Sequence, residues 1–137
     1  MDFEAKIAEL GLLIPKPAKP AGSYKPCVIV DNIAYISGQG PLLEDGSFAK
    51  GKVGADVDLE TAQNHSMLCG LAILSALKNE IGSINKVDQL IKLTGFVNCI
   101  ESFTQQPLVI NGCSNMMKDI FGETGVHARA AVGVNSL

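Results

Sequence analysis

Arg129 is the residue with the clearest capacity for chemistry, because it is the only arginine in the sequence and the other ten basic side chains are lysines. A guanidinium offers rigid paired donors that match a carboxylate or a phosphate in bidentate geometry. It lies in a β-type run beside the small Ala131 and Gly133. The sequence therefore predicts an open floor where a small anionic ligand could lie against a sheet. An ion pair at the surface or between subunits explains the pattern equally well.

Four further residues could contribute to such a site. His127 shares the strand face of Arg129 and could act as a general base, although a hydrogen-bonded structural histidine is the favoured interpretation. Tyr24 could cover a pocket with its ring, or could simply hold its own segment in place. Ser37 and Gly38 could offer a hydroxyl and backbone N–H groups to an anion, although a turn that ends a strand explains them too.

Metal and nucleotide chemistry have no support in the sequence. The four cysteines are separated by 42, 30 and 14 positions and form no C-x-x-C pair, so we interpret them as small buried hydrophobes in a reducing compartment. His65 falls inside a predicted helix, where we assign it a structural role. No P-loop, dinucleotide-binding, zinc-hydrolase or serine-hydrolase motif occurs. We therefore expect neither a metal nor a cofactor.

Length and composition narrow the class of protein. The 137 residues are enough for one domain that holds a core without disulfides, and 47% of them are hydrophobic, which excludes a disordered chain. The formal net charge of −3 argues against an electrostatic nucleic-acid binder. The longest apolar stretch, Met67–Leu77, covers 11 residues and is too short to cross a bilayer. Because no signal-peptide pattern opens the chain, we expect a cytoplasmic or organelle-matrix protein.

The first half of the chain contains the shorter predicted elements. Helical spacing over residues 3–13 predicts an N-terminal helix within segment 1–14. Four prolines within residues 15–26 predict an extended arm laid over the domain surface. Two β-rich runs, Cys27–Asp31 and Ile33–Ser37, predict a hairpin, and a further short strand is expected near 48–53.

The second half contains the longer predicted elements. Leu59–Ile81 is expected to be one buried helix, capped by Asp58 and closed by Gly82, and Thr104–Phe121 a second helix. Val87–Ile100 and Val126–Val134 are expected to be strands. The last strand alternates between an apolar face (Val126, Ala128, Ala130, Val132, Val134) and an opposite face (His127, Arg129, Ala131, Gly133). This order predicts a single α+β domain over residues 1–137, in which 27–137 form a mixed sheet with two main helices packed on one face.

Several segments together resemble the RidA/YjgF family: Ile36–Pro41 (ISGQGP), Gly51–Gly54 (GKVG), Gly95–Asn98 (GFVN) and His127–Val134 (HARAAVGV). Val109–Gly112 and Phe121–Glu123 extend the resemblance to the family's longer branch, which is called endoribonuclease L-PSP. The resemblance runs from about residue 12 to residue 137. The pair S-G-Q-x-P and A-R-x-A-V at this separation is specific.

The resemblance implies a chorismate-mutase-like fold and a homotrimer, in which the sheets form a central barrel, the helices lie outside and ligand clefts lie between subunits. It also implies deamination, that is, hydrolysis of reactive 2-imino acids or their enamine tautomers to 2-keto acids and ammonia. By the same resemblance Arg129 holds the substrate carboxylate, and the other cleft residues are Tyr24, Ser37, Gly38 and Asn115, with Asn111 competing with Asn115 for the match.

The sequence departs from the family pattern at three places. Ala131 stands where the deaminases often have a cysteine, and Ser23 stands where they have a proline before the cleft tyrosine. The family's final strand, which carries a cleft glutamate, would follow the position of Leu137. The resemblance therefore assigns no residue to the activation of water, and we leave the catalytic residue unassigned.

Two other functions remain open. A non-enzymatic trimer could bind small carboxylates through Arg129 without turning them over. An endoribonuclease, which the branch's name suggests, is the weaker alternative, because an acidic chain with few aromatic residues and no paired histidines offers little for RNA binding or acid–base cleavage. We expect a small carboxylate as the partner, and neither nucleic acid nor a membrane.

Overall fold

The computed structural model describes residues 1–137 as an α+β domain, and the predicted fold class is confirmed. Two short 3-10 helices, Ile84–Lys86 and Gly122–Gly125, precede the last two strands. The main elements in chain order are α1 (Phe3–Glu9), β1 (Cys27–Val30), β2 (Ile33–Ile36), α2 (Leu59–Ile81), β3 (Lys92–Asn98), α3 (Gln106–Phe121) and β4 (Ala128–Val134). No helix, α2 included, is both long enough and apolar enough to cross a membrane.

The predicted ends of α2 are confirmed. Asp58 accepts a hydrogen bond from the backbone N–H of Thr61 at 2.8 Å, which satisfies one of the free donors of the first turn. Gly82 ends the helix with a φ of +89°, a conformation that other residues rarely adopt. The short N-terminal helix predicted from the spacing of residues 3–13 is observed over Phe3–Glu9, and Gly11, with a φ of +71°, lies just past its end.

Helices α2 and α3 pack closely against each other and bury most of the core. Gly112 lies directly against the backbone carbonyl of Gln63, and any side chain at this position would clash with it. The buried residues of α3 form one stripe along the helix: Val109, Ile110, Cys113, Met116, Met117, Ile120 and Phe121. Helix α1 packs against the far end of α3, where the rings of Phe3 and Phe121 lie 4.8 Å apart.

The strands form two separate pairs. β1 and β2 are antiparallel around Asp31 and Asn32, both of which have positive φ, so the predicted hairpin is confirmed. β3 and β4 are parallel and are joined by α3, which crosses between them. The strand expected near 48–53 is wrong: Phe48 and Val53 make only isolated bridges, because no neighbouring strand pairs with this segment.

The strand predicted over Val87–Ile100 starts only at Lys92. A 3-10 helix ends just before this segment, and the backbone N–H of Leu90 donates to the carbonyl of Thr124 rather than to a neighbouring strand. The first residues of the apolar run therefore serve to connect α2 to the sheet. The arm over residues 15–26 contains no helix or strand, and Ser75 of α2 donates to the carbonyl of Pro15 at 2.6 Å.

The two faces of β4 correct one expectation. The face that carries Arg129 lies against α3, whereas the apolar face points outward, with Val126 and Val132 exposed. The expected open floor beside Arg129 is wrong. Ala131 packs against a core cluster, and a side chain at Gly133 would lie 2.8 Å from the amide nitrogen of Gln106. Small residues occur here because the strand and the helix approach each other closely.

Candidate active site

One face of α3 supplies three hydrogen-bond acceptors to the site. Gln106–Phe121 folds as a helix with Pro107 in its first turn, where a missing N–H costs nothing. Positions 107, 111 and 114 follow the i, i+4, i+7 spacing and therefore share one face. That face presents the carbonyl of Pro107, the amide oxygen of Asn111 and the hydroxyl of Ser114 toward β4.

Arg129 of β4 donates to all three of these acceptors. Its Nη1 lies 2.8 Å from Asn111 Oδ1 and 3.2 Å from Ser114 Oγ, and its Nη2 lies 3.3 Å from the carbonyl oxygen of Pro107. A guanidinium has five N–H donors, so two of them remain without an acceptor within the chain. The guanidinium is thus held in place by neutral groups and keeps spare donors.

The charge of Arg129 is not neutralised within the chain. The only two ion pairs are Lys6–Glu9 and Lys78–Glu4, and both are far from β4 along the chain. A partly buried cation without a counter-ion retains a strong attraction for an anion, since it has lost part of its hydration. The amino terminus of α3, which is the positive end of the helix dipole, lies beside the same guanidinium and also attracts negative charge. The site is therefore built to attract an anion.

His127, the residue just before β4, reaches the same cluster. Its Nε2 lies 3.0 Å from Ser114 Oγ, and its Nδ1 lies 2.7 Å from the carbonyl oxygen of Gly125. Ser114 is therefore shared between the imidazole and the guanidinium of Arg129. The hydrogen-bonded histidine favoured from the sequence is observed, and its partner is the hydroxyl that also orients the cation.

A buried thiol lies behind this cluster. Burial raises the pKa of Cys113 to about 12, with a further upward contribution from Cys69, while the cation of Arg129 acts in the opposite direction. Burial also raises the pKa of Cys69 to about 11. Neither thiol is available as a nucleophile near neutral pH. No group of three or more histidine, cysteine, aspartate or glutamate residues gathers as a metal site.

The two candidate asparagines of the site lie on different stripes of α3, and which of them lines a cleft stays a prediction. Asn115 is exposed and makes no hydrogen bond with Arg129, whereas Asn111, the competing candidate, accepts the shortest one. The difference is one of helical phase, because Asn115 lies on the neighbouring stripe of α3. Ser114 was missed in the sequence. Its i+3 spacing from Asn111 on a predicted helix could have identified it.

The remaining predicted site residues do not meet Arg129 within one chain. Tyr24 is half exposed, and its hydroxyl accepts from the backbone N–H of Ala21 at 3.2 Å. The hydroxyl of Ser37 donates to the carbonyl of Lys25 at 2.6 Å. Gly38 faces open space, with no atom within 4 Å of the position of a side chain. Tyr24 and Ser37 thus make their hydrogen bonds with the backbone of residues 21–25, apart from the cluster around Arg129.

A second cation, Lys52, lies at the opposite end of the β3–β4 pair. Its Nζ donates to Asn98 Oδ1 at 2.7 Å, to the carbonyl of Cys99 at 3.4 Å and to the carbonyl of Asn135. An ammonium has three N–H donors, and here each of them has an acceptor. Lys52 therefore joins the strand ends and keeps no donor for a ligand.

Comparisons with known proteins agree with this architecture. A sequence model of the family described as "YjgF/chorismate_mutase-like, putative endoribonuclease" matches residues 4–136. Protein TCP17 of Trypanosoma cruzi is 36% identical over 134 residues, which cover 97% of this chain and 84% of that protein. The crystal structure of Agrobacterium tumefaciens Atu1372, described as of unknown function, is 43% identical with a TM-score of 0.88, covering 98% of this chain and 82% of that one. A Shewanella oneidensis structure described as a "putative endoribonuclease" has 29% identity and a TM-score of 0.95, covering 100% of this chain and 91% of that one.

Proposed function

The chain belongs to the YjgF/chorismate-mutase-like family, and on that premise we propose that it deaminates reactive 2-imino acids and their enamine tautomers. The products are 2-keto acids and ammonia. The observation that carries the proposal is the guanidinium of Arg129, which has no counter-ion and keeps two unused donors. A substrate carboxylate supplies the missing charge and accepts those donors in the bidentate geometry that arginine favours.

Hydrolysis of an imine requires mainly that the substrate and a water molecule be held in position. An imine hydrolyses readily in water, so a site that fixes its carboxylate and holds a water molecule beside the imine carbon accelerates the reaction through orientation. Arg129 is suited to that role because three neutral acceptors on one helix hold its guanidinium in place. The carboxylate is present in both substrate and transition state, so this contact contributes chiefly to binding.

We further propose that the cleft is completed by a second copy of the chain in a homotrimer. The outward face of β3 and β4 is apolar and open, with Phe96 57% and Val132 43% exposed on adjacent strands. Exposed apolar surface of this kind is typical of an interface. Tyr24, Ser37 and Gly38 make no contact with Arg129 in their own chain, and a neighbouring copy can bring them to it.

The direct test measures keto-acid release from 2-aminoacrylate generated in the assay. Arg129→Ala is expected to lower kcat/KM about 100-fold, mainly through a higher KM, because it removes the carboxylate contact. Arg129→Lys should recover only part of the loss, since an ammonium lacks the paired donors. Lys50→Ala, which removes an exposed cation from the segment before α2, is the matched control and should behave as wild type. Unchanged turnover by Arg129→Ala would contradict the proposal.

Two other functions are distinguished from deamination by binding and cleavage measurements. Binding of a keto acid that depends on Arg129, without any turnover of the imine, identifies a carboxylate-binding protein. The name "putative endoribonuclease", carried by the Shewanella oneidensis structure, is tested by incubating the purified protein with single-stranded RNA. We expect no cleavage, because the chain has a net charge of −3 and its two histidines lie on different elements.

A further inference from the structure

We propose that Ser114 and His127 form a proton relay that activates the attacking water beside Arg129. The inference rests on the proposed deamination, for which no residue has yet been assigned to water activation. It would make Ser114 the group that contacts the water, and His127 the proton acceptor that acts through Ser114.

The directions of the hydrogen bonds follow from the acceptors. The carbonyl of Gly125 can only accept, so Nδ1 of His127 carries the proton at their 2.7 Å contact. In the neutral ring Nε2 is then the acceptor, and the hydroxyl of Ser114 donates to it at 3.0 Å. Arg129 in turn donates to Ser114 Oγ. The protons are thus ordered along one chain, from the guanidinium to the serine, the imidazole and the backbone carbonyl.

This arrangement matches what a hydroxyl needs in order to pass on a proton. A base receives the proton of Ser114, a cation stabilises the negative charge that develops on Oγ, and a third group orients the base. A serine oxygen has two lone pairs. One of them accepts from Arg129, and the other is free to accept from a water molecule. Ser114, His127 and Arg129 are all partly exposed, so water can reach the relay.

The steps of the reaction balance. The substrate reacts as the iminium ion: the water oxygen forms a bond to the imine carbon, and the π electrons move to nitrogen. The water gives one proton to Ser114 while Ser114 gives its own to Nε2 of His127, which leaves a neutral carbinolamine and an imidazolium. The relay then returns that proton to the amine, the carbon–nitrogen bond breaks, and a lone pair of the hydroxyl oxygen forms the carbonyl. The hydroxyl proton leaves with ammonia as ammonium, so the net reaction consumes one water per iminium.

The same cluster separates two roles that kinetics can distinguish. Arg129 holds the carboxylate in every bound state, so its loss acts chiefly on KM, with an added loss of kcat from its hydrogen bond to Ser114. The relay acts only while protons move, so its loss acts on kcat. His127→Gln keeps a hydrogen-bonding group near Ser114 but removes the base, and Ser114→Ala removes the hydroxyl altogether. Ser114→Thr retains the hydroxyl on the same helix face.

The experiment measures kcat and KM for 2-iminopropanoate generated in the assay, with binding of pyruvate as a check that the site is intact. His127→Gln and Ser114→Ala should each lower kcat about 100-fold with KM within twofold of wild type, as loss of general acid–base catalysis does. Ser114→Thr should retain most of the activity. Added imidazole should restore turnover to His127→Gly, which a purely structural role would not allow. His65→Gln, on α2, is the control and should match wild type.

Each result decides one question. Absence of turnover in the wild-type protein overturns the proposed function and the relay with it. Wild-type turnover together with normal kcat in His127→Gln overturns the relay alone. A loss of kcat that imidazole does not restore, or an equal loss in Ser114→Thr and Ser114→Ala, assigns these residues to structure and also overturns it. If the His127 variants fail to fold, the pair of Ser114 variants gives the answer.

Discussion

The parallel strands β3 and β4 hold a cation at each end, and the two ends differ in how their donors are satisfied. At the carboxyl end of the strands, Lys52 donates all three of its ammonium N–H groups to acceptors of its own chain. At the amino end of the strands, Arg129 donates three of its five guanidinium N–H groups and has no counter-ion. Both cations touch only neutral acceptors, so the difference lies in the unused donors.

The comparison separates a cation whose donors are all used from one that keeps unused donors. Lys52 ties strand ends together, and a ligand there would have to displace existing hydrogen bonds. Arg129 is oriented by α3 yet still has donors to offer, so a ligand gains contacts without breaking any. The count of unused donors on a held cation is thus a better indicator of function than its charge.

We expect the largest effect from a substitution that prevents other copies of the chain from assembling at the end of the sheet that carries Arg129. Phe96→Glu places a charge on the outward face of the sheet and should convert a trimer, of three 14.4 kDa chains, to monomers. Turnover should be lost while the helical content stays native. Sedimentation and circular dichroism measure the two effects. Asn79→Glu adds the same charge at an exposed position of α2 and should leave the trimer intact. A Phe96→Glu variant that remains a trimer would refute the interface.

A smaller effect distinguishes the two cations through stability. Lys52→Met leaves the carbonyls of Cys99 and Asn135 and the amide oxygen of Asn98 without their donor, and should lower the free energy of unfolding by about 2 kcal/mol. Arg129→Met should cost less than half of that, because it also removes an unpaired charge and two unused donors. Urea denaturation of both variants measures the difference. Equal losses would mean that Arg129 is as structural as Lys52.

The smallest effect is stabilisation by a ligand. Pyruvate at ten times its dissociation constant should stabilise the wild-type protein by about 1.4 kcal/mol, which raises its melting temperature by a few degrees. Lys52→Met should show the same rise in melting temperature with pyruvate, starting from a lower melting temperature without it. Arg129→Met should show no such rise. Calorimetric melting with and without pyruvate gives the comparison. A shift that survives in Arg129→Met would place the carboxylate elsewhere.

Local patterns predicted most of the fold. The caps Asp58 and Gly82 fix α2 because a polar side chain must satisfy the first N–H groups and a glycine can adopt the closing conformation. The hairpin around Asp31 was equally clear. The strand expected near 48–53 failed because β-type residues alone do not provide a partner strand, and only isolated bridges form there. Pairing depends on distant segments, and their position is not written in the local sequence.

The site was predicted in part. Arg129 was selected as the candidate anion-binding residue because its type and isolation are visible in the sequence, and His127 was placed on the same face; that Arg129 binds an anion stays a prediction. Asn115 was preferred to Asn111, and Ser114 was not considered, because the choice depends on which stripe of α3 faces β4. That phase depends on how α3 packs against α2, where Gly112 lies against the backbone of Gln63, and a local pattern does not reveal it.

By itself, the sequence determined which residues alternate along β4 and where the two long helices run. It also determined that the chain has a single arginine, Arg129, among its eleven Lys and Arg residues. These are local properties, set by backbone sterics and side-chain periodicity. Tertiary structure decided that the face with Arg129 turns toward α3, and that the acceptors of this cation come from residues 15 to 22 positions away. Alternation defines two faces of a strand but not the neighbour of either one, because that depends on the packing of the whole chain.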